Sequence, residues 1–499
     1  MKGILQWRHI NTISAETEAN NSIATSYGGV ESTRRKNYIE LFMSMLLSGT
    51  IMIPIFWPRR VVVRSKQWDV FWYEEKYFSC FSGKYFLKNE WSQIEIKRSK
   101  FESQIRIRSW GRKLDLNSGT CFGGRRLISL RCFNSIISFG DSLTDTGNEF
   151  YLTQYRNPSP YFARLPYGET FFHRPTGRFS NGRLIIDFIA ESLGIPLVPA
   201  YLGGKDNVKF TQGVNFAVGG STALDPAYLS NKGVKTTTNE SLVAQLGWFK
   251  EMLTSHCKFP SECKEFLQNS LILVGEIGGN DFIYGFFGNN TKEKVESYVP
   301  AVINSISSAI QEVIEFGASR VVVPGSMPLG CSTALLTIFM DSNKEDYDPI
   351  TGCINWLNQF SKNYNKLLQM ELHLLRQLHP SVTIIYADYY NAAMQFYLSP
   401  NTYGFTKGAL VACCGAGGPY NYKLFELCGD PTARNICSDP SIYASWDGMH
   451  FTEAAYKLIA TSLLEGNFTF PPLPKICSTS LSPNTTFKFQ LSSANNNKQ

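Results

Sequence analysis

The most informative stretch of this chain is Phe139–Asn148, which reads FGDSLTDTGN. It continues a short apolar run, Ile136–Phe139, whose residue types are typical of a buried β-strand. Gly140 and the polar residues behind it predict a tight turn that follows the strand and presents Ser142. A serine on a strand-to-loop turn is a common way to expose a nucleophilic hydroxyl, so Ser142 is the candidate nucleophile.

A base and an orienting carboxylate for this serine lie far downstream. Trp446–His450 reads WDGMH, and a predicted helix begins at Thr452. Asp447 and His450 are three residues apart and can supply the carboxylate and the general base of a serine triad. The alternative is a structural loop in which Thr452 serves only as the helix N-cap.

Two further blocks lie between these segments. Asn215–Gly220 reads NFAVGG, and Gly278–Asp281 reads GGND. Alone, they would be interpreted as a turn glycine pair and an Asx turn. Together and in this order, the four blocks resemble those of the plant GDSL esterase/lipases, a branch of the SGNH hydrolases. The resemblance covers about residues 130–475.

The resemblance implies a fold, a site and an activity. The implied fold is an α/β/α three-layer sandwich with a central, flavodoxin-like parallel sheet. Ser142, Asp447 and His450 would form the catalytic triad. The backbone N–H groups of Ser142 and Gly220 and the side-chain amide of Asn280 would form the oxyanion hole. The implied activity is hydrolysis of carboxylic esters through an acyl-enzyme, with no metal and no organic cofactor.

Two segments indicate a particular branch of this family. Cys413–Asn421 and Trp446–His450 look most like the branch that includes sinapine esterase and acetylated-alkaloid esterases, which favours a small or phenolic ester. The expected partner is a small-molecule or lipid ester. Two other functions stay open, namely acyl transfer to an alcohol other than water by the same triad, and a catalytically silent extracellular binding glycoprotein.

The pattern of apolar residues predicts a parallel α/β architecture from residue 133 onward. Predicted strands are Ser135–Phe139, Leu271–Val274, Arg320–Val323 and Val382–Tyr386. Predicted helices are Leu184–Leu193, Val299–Phe316, Trp356–Leu378 and Thr452–Leu464. Ligands of such sheets bind beyond the carboxyl ends of the strands, where Ser142 and Asn280 both lie. Asp141 and Asp145 beside the serine are expected to form turns, although paired carboxylates can also do acid–base work.

Charge separates the chain into parts. Residues 1–126 contain 21 Lys and Arg against 11 Asp and Glu, whereas the remaining residues contain 27 against 30. We therefore predict a basic N-terminal extension over 1–126, an esterase domain over 127–477 and a polar tail over 478–499. The mildly acidic esterase part has no basic surface that would call for nucleic acid. In the extension, the apolar segment 41–57 is a signal anchor, a displaced signal peptide or a buried segment, and it is the only expected route to a membrane.

Cysteines and glycosylation sequons together indicate secretion. Nine of the 12 cysteines lie between Cys257 and Cys477, including a cluster at positions 413, 414, 428 and 437. That cluster has no Cys-x-x-Cys unit and no histidine, which favours disulfides in an oxidising compartment over zinc. Sequons that predict N-glycosylation begin at Asn239, Asn289, Asn467 and Asn484.

Overall fold

The computed structural model describes residues 132–154, 159–204, 210–340 and 343–479, and four short strands nearer the N-terminus. The chain divides into two compact units, Met1–Gly123 and Gly124–Gln499. The described strands of the first unit form two antiparallel pairs: β1 (Val62–Arg64) with β2 (Asp69–Phe71), and β3 (Gln93–Arg98) with β4 (Ser103–Arg108). The predicted apolar segment 41–57 and residues 480–499 lie outside the described residues.

The second unit is built on a six-stranded sheet. Its strands are β5 (Ser135–Phe139), β6 (Gly213–Asn215), β7 (Ser270–Val274), β8 (Arg320–Pro324), β9 (Thr383–Ala387) and β14 (Thr469–Phe470). The strands lie in the order β14-β9-β8-β7-β5-β6. Five of them run parallel, and β14 alone pairs antiparallel, with β9. The expected α/β sheet is therefore confirmed, with one antiparallel edge strand that the sequence did not predict.

Four short strands lie outside this sheet. They are β10 (Gly408–Ala412), β11 (Cys414–Gly415), β12 (Asn435–Ile436) and β13 (Tyr443–Ser445). Strand β10 pairs with β13, and β11 pairs with β12. These pairs connect the cysteine-rich segment to the strand that leads into Trp446–His450.

Helices cover both faces of the sheet. The helices are α1 (Asn148–Thr153), α2 (Ile185–Leu193), α3 (Tyr201–Gly204), α4 (Pro226–Asn231), α5 (Leu242–His256), α6 (Pro260–Gln268), α7 (Gly279–Phe287), α8 (Lys292–Glu296), α9 (Val299–Glu315), α10 (Thr333–Ile338), α11 (Asn355–Leu378), α12 (Tyr389–Leu398), α13 (Glu453–Leu464) and α14 (Leu473–Thr479). The predicted helices agree with α2, α9, α11 and α13 to within one residue at each end. The predicted N-cap, Thr452, accepts a hydrogen bond from the Ala455 N–H.

Alternation along the strands divides the core into two layers. Ile137 and Ile272 point to one face, where they pack with α5, α9 and α11. Ile136 and Leu271 point to the other face, where they pack with α2, α12 and α13. Strands buried on both sides read as continuous apolar runs, which is why the sequence predicted these strands well.

The topology brings the candidate site together at one edge of the sheet. Strands β5 and β7 are parallel neighbours, so their carboxyl ends meet at the same edge. Ser142 follows β5, and Asn280 follows β7 in the first turn of α7. His450 lies just before α13, which packs in the same layer as α2.

Candidate active site

The backbone of the turn after β5 is held by side-chain hydrogen bonds before and after Ser142. Gly140 has a φ of 153°, and a Cβ there would lie 2.8 Å from the Glu276 carbonyl oxygen, so glycine is required. The side chain of Gln245 bonds both the N–H and the carbonyl of Gly140, each at 2.8 Å. Asp141 Oδ1 accepts the Leu143 N–H at 3.0 Å and closes the turn. These contacts fix the backbone of the residue between them, Ser142.

Asp145 organises the next part of the loop. Its two carboxylate oxygens accept four backbone N–H groups, those of Gly147, Asn148, Glu149 and Gly219, at 2.6 to 3.0 Å. Burial raises the pKa of Asp145 to about 6, although these hydrogen bonds act in the opposite direction. Asp145 and Asp141 therefore shape the loop, as the sequence predicted. The bond to Gly219 also connects the serine loop to the NFAVGG block.

The segment 446–450 forms a second tight turn. The Trp446 N–H donates to the His450 carbonyl at 2.8 Å, which returns the chain toward α13. Asp447 Oδ1 accepts the N–H groups of Met449 and His450 at 3.0 and 2.9 Å. The spacing of three residues between Asp447 and His450 therefore has a local structural reason, because the Asp447 carboxylate caps the turn that carries His450.

Ser142, His450 and Asp447 lie in one hydrogen-bonded row. His450 Nε2 is 2.8 Å from Ser142 Oγ, and His450 Nδ1 is 2.6 Å from Asp447 Oδ2. Burial by itself opposes ionisation of Asp447, but the imidazole and the hydrogen bonds it receives hold the pKa of this carboxyl below its ordinary value. An ionised Asp447 keeps the proton on Nδ1, so Nε2 can accept the serine proton.

A buried phenol also contacts Asp447. The hydroxyl of Tyr167 donates to Oδ2 at 2.7 Å, the same oxygen that faces the imidazole. Tyr167 packs edge-on against Trp446, and the ring of Phe179 lies 4.9 Å from that of His450. The sequence did not predict either contact, because Tyr167 and Phe179 belong to an irregular loop with no periodic pattern.

Two of the three expected oxyanion donors have no acceptor within the described residues. The N–H groups on either side of Ser142, those of Asp141 and Leu143, are both hydrogen-bonded. The same holds for Gly219 and Ser221, the neighbours of Gly220. Among the described groups, no acceptor contacts the N–H of Ser142 or of Gly220. These two donors are available to a ligand.

Asn280, the third expected donor, has protein contacts. Its Nδ2 donates to the Ser221 carbonyl at 2.9 Å and approaches Asp141 Oδ2 at 3.4 Å. The amide therefore lies between the serine loop and the residue after Gly220. It is positioned against the same two segments that carry the other two expected donors.

Buried acids surround this arrangement, and the sequence did not single out all of them. Burial raises the pKa values of Asp141 and Asp281 to about 7. Burial also raises the pKa of Glu276 well above its ordinary value, and its Oε2 has no hydrogen-bond partner in the described part of the chain. Asp281 accepts the N–H groups of Ala223 and Leu224, so it holds the loop that follows Gly220.

Eight of the described cysteines of the second unit form four disulfides with one another. The disulfides are Cys257–Cys263, Cys331–Cys353, Cys413–Cys437 and Cys414–Cys428. Cys132 is disulfide-bonded as well. All four cysteines of the cluster considered for zinc are therefore in disulfides. The side chains of Asn239, Asn289 and Asn467 are exposed, whereas Asn484 lies outside the described residues.

No helix in the described ranges is both long enough and apolar enough to cross a membrane. The anchoring segment considered at 41–57 falls outside those ranges.

Sequence comparisons agree with the geometry. The family described as GDSL-like Lipase/Acylhydrolase matches residues 136–463. The GDSL esterase/lipase At1g28580 of Arabidopsis thaliana is 52% identical over 351 residues, which are 70% of this chain and 89% of that protein. The GDSL esterase/lipase At1g28610 of the same plant is 53% identical over 348 residues, 70% of this chain and 90% of that protein. Sinapine esterase of Brassica napus is 49% identical over 351 residues, 70% of this chain and 90% of that protein.

The matched range contains every block from which the resemblance was inferred, and the resemblance to plant GDSL esterase/lipases is confirmed. The matched range ends at residue 463, one residue before the end of α13. The chain belongs to the GDSL-like lipase/acylhydrolase family.

Proposed function

We propose that this protein is a carboxylic ester hydrolase that transfers the acyl group of its substrate to Ser142 and then to water. The observation that carries the proposal is the row in which His450 Nε2 lies 2.8 Å from Ser142 Oγ and Nδ1 lies 2.6 Å from Asp447. This is the contact that a serine needs in order to lose its proton to a base. It also argues against a catalytically silent binding protein.

In the first half of the reaction, Ser142 Oγ attacks the ester carbonyl carbon while His450 Nε2 takes the hydroxyl proton. The tetrahedral intermediate collapses when the carbon–oxygen bond to the alcohol breaks, and His450 gives its proton to the departing alkoxide. In the second half, His450 takes a proton from water, and the resulting hydroxide attacks the acyl-enzyme. The acid then leaves as Ser142 Oγ recovers the proton.

The three donors around Ser142 suit the charge that develops on the carbonyl oxygen. The N–H groups of Ser142 and Gly220 have no acceptor among the described groups, and the Asn280 amide lies beside both segments. We propose that these groups bind the oxyanion. Donors fixed in advance by the backbone need not reorganise during the reaction, which is where their advantage over water comes from.

Replacement of the nucleophile tests the proposal. Ser142→Ala should fold and lose nearly all hydrolysis of p-nitrophenyl esters, because the remaining site has no attacking group. A fluorophosphonate should label the native protein and leave this variant unlabelled. The matched control is Ser307→Ala, which removes a buried serine that contacts Glu371 instead of a histidine. Undiminished labelling of Ser142→Ala would show that another residue is the nucleophile.

Secretion is the second part of the proposal. It is supported by the four disulfides and by the exposed asparagines of three sequons, because disulfides persist in oxidising compartments. Alkylation without reductant, followed by mass spectrometry of the native protein, should find few free thiols over residues 257–437. Broad labelling of these cysteines would argue against an oxidising compartment.

A further inference from the structure

A polar cavity of about 190 Å³ lies close to Gly220. Residues 236–240, which read TTTNE, form one wall, and Glu149 and Leu152 of α1 form the other. Among the described residues of this lining, Leu152 is the single apolar one, and none is a lysine or arginine. Apart from Asn239, which is a predicted glycosylation site, the lining therefore offers hydroxyl and carboxylate groups.

Two hydroxyl groups join this cavity to the proposed oxyanion hole. Thr237 Oγ1 is 2.6 Å from the Tyr284 hydroxyl, which donates to the Gly220 carbonyl at 2.9 Å. A Cβ added at Gly220 would collide with Thr237 Oγ1. The cavity wall is thus in contact with Gly220, and a substituent next to an ester carbonyl bound there can enter the cavity.

Building on the hydrolase function proposed above, we propose that this cavity is a subsite for a short, hydroxyl-bearing part of the ester substrate. Threonine hydroxyls donate and accept hydrogen bonds, and carboxylates accept them from substrate hydroxyls. The described part of the lining has two glutamates and no lysine or arginine, which disfavours phosphate and carboxylate groups. At ~30 Å³ per water-sized group, the volume holds about six such groups, which matches a glycerol-sized fragment.

Two matched pairs of esters test the subsite on either side of the scissile bond. Glyceryl acetate is compared with pentyl acetate for the alcohol side, and ethyl lactate with ethyl isobutyrate for the acyl side. The native enzyme should prefer the hydroxylated member of one pair by about tenfold in kcat/KM, the value of one or two hydrogen bonds. Thr236→Val and Glu240→Gln should reduce that preference. Thr254→Val, on the exposed face of α5, is the control.

The outcomes separate this inference from the hydrolase proposal. Fluorophosphonate labelling of Ser142 reports on the nucleophile alone. Labelled enzyme that prefers the apolar esters, or that hydrolyses neither hydroxylated ester, overturns the subsite and leaves the nucleophile intact. Variants at 236 and 240 that change both members of a pair equally also overturn it. A selective loss with the hydroxylated ester supports it.

A separate observation concerns Tyr167. Its side chain is completely buried, and its hydroxyl donates to Asp447 Oδ2 at 2.7 Å. Oδ1 of the same carboxylate is occupied by the N–H groups of Met449 and His450. All the strong acceptor directions of Asp447 are therefore filled, and the phenol occupies the one beside the imidazole.

We infer that Tyr167 is a positioning residue for the acid–base pair. By donating to the same Oδ2 that faces the imidazole, it prevents the carboxylate from rotating about its Cβ–Cγ bond and keeps the His450 Nδ1–H bond aligned. Burial and the neighbouring Asp447 raise the pKa of Tyr167 far above its ordinary value, so the phenol stays a neutral donor. In this role Tyr167 acts through Asp447, to which its hydroxyl is hydrogen-bonded.

A double-mutant cycle tests this role. Tyr167→Phe should lower kcat several-fold with little change in KM, because orientation is lost and substrate contacts are kept. In an Asp447→Asn background, the same substitution should have almost no further effect, since the group it orients is gone. The control is Tyr298→Phe, which alters an equally buried tyrosine whose hydroxyl has no hydrogen-bond partner in the described ranges. Additive effects in the cycle, or an unchanged kcat in Tyr167→Phe, would refute the inference.

Discussion

At the scale of single residues, the site depends on the satisfaction of buried polar groups. Asp447 can remain ionised in the core because four donors surround it, and burial of a carboxylate without such partners is costly. Asp141 and Glu276, by contrast, lie close together with fewer donors, and burial raises the pKa of both. In one buried region, the surroundings therefore favour the charged form of Asp447 but shift Asp141 and Glu276 toward the neutral form.

Asn280 gives a first prediction. Removal of one oxyanion donor typically costs ~2.7–4 kcal/mol of transition-state stabilisation. Asn280→Ala should therefore lower kcat about 10²–10³-fold and change KM little. Asn363→Ala, on the exposed face of α11, is the control. A normal kcat in Asn280→Ala would remove this amide from the proposed oxyanion hole.

Asp141 gives a second prediction, on stability against pH. Its pKa in the fold is about 7, raised from 3.8 by burial, so the folded state holds this proton more tightly than the unfolded chain does. The resulting stabilisation is complete below pH ~4 and is lost as the pH rises through ~7. Asp141→Asn mimics the protonated form and should flatten the fall in melting temperature between pH 5 and 8. Equal slopes in Asp141→Asn and in the exposed control Asp439→Asn would contradict this.

The residues found from sequence and those missed differ in one physical respect. Ser142 and the Asp447–His450 pair were recognisable because each is part of a local turn with characteristic neighbours. Tyr167 and Gln245 were missed because their contacts with Asp447 and Gly140 span 280 and 105 residues. No local pattern records a side chain that reaches a distant segment, so these positions became visible only in the fold.

At the scale of elements, the cysteine-rich segment supports the acid–base turn. The N–H of Cys414 donates to the Trp446 carbonyl at 2.8 Å, and the N–H of Cys413 donates to the Ser445 carbonyl at 3.0 Å. Both cysteines are in disulfides, and both are buried in a cluster that also contains Tyr167 and Trp446. The disulfides of Cys413 and Cys414 thus stabilise the backbone segment that leads directly into Asp447.

Removal of one of these bridges is therefore expected to affect activity as well as stability. The double variant Cys414→Ser, Cys428→Ser should lose ~3 kcal/mol of unfolding free energy and most of its kcat. The double variant Cys257→Ser, Cys263→Ser should lose only ~2 kcal/mol of unfolding free energy, because the disulfide that it removes closes a shorter loop. This variant should keep its kcat. Denaturant unfolding and ester hydrolysis measure the two effects. Similar losses of kcat in both would show that the bridges act only through global stability.

Element prediction succeeded for long apolar runs and failed for short ones. Strands β5, β7, β8 and β9 were predicted because each is a five-residue segment of almost entirely buried residues, most of them apolar. Strand β6 has only three residues and starts with glycine, and β14 has two residues followed by Pro471. Such strands exist because a neighbouring strand offers hydrogen bonds at a sheet edge, which is a property of the fold and not of their own composition.

At the scale of the whole molecule, all the residues proposed for the esterase site belong to the second unit. Every described buried core residue lies at Phe133 or beyond, and the described strands of the first unit pair only with one another. The extension over 1–126 carries the whole basic excess of the chain. The boundary at 126/127 remains a prediction.

Truncation tests that boundary. A chain that begins at Leu127 behind an ordinary signal peptide should fold and hydrolyse esters, because it keeps every buried core residue that the structure describes, the first of which is Phe133. Circular dichroism, melting temperature and kcat compare it with the full chain. An insoluble product, or a folded but inactive one, would make residues 1–126 part of the esterase domain.

The distance along the chain between the nucleophile and its base has a further consequence. Ser142 and His450 are separated by 308 residues and meet only after α13 has packed against the layer that contains α2. A ribosome-bound nascent chain carries the serine long before it carries the base. Under the proposed mechanism, the chain therefore cannot hydrolyse esters before His450 has been synthesised, and the product of a stop codon upstream of His450 is inactive as well. Ester hydrolysis by this protein would for that reason report a chain that extends at least to His450 and has folded.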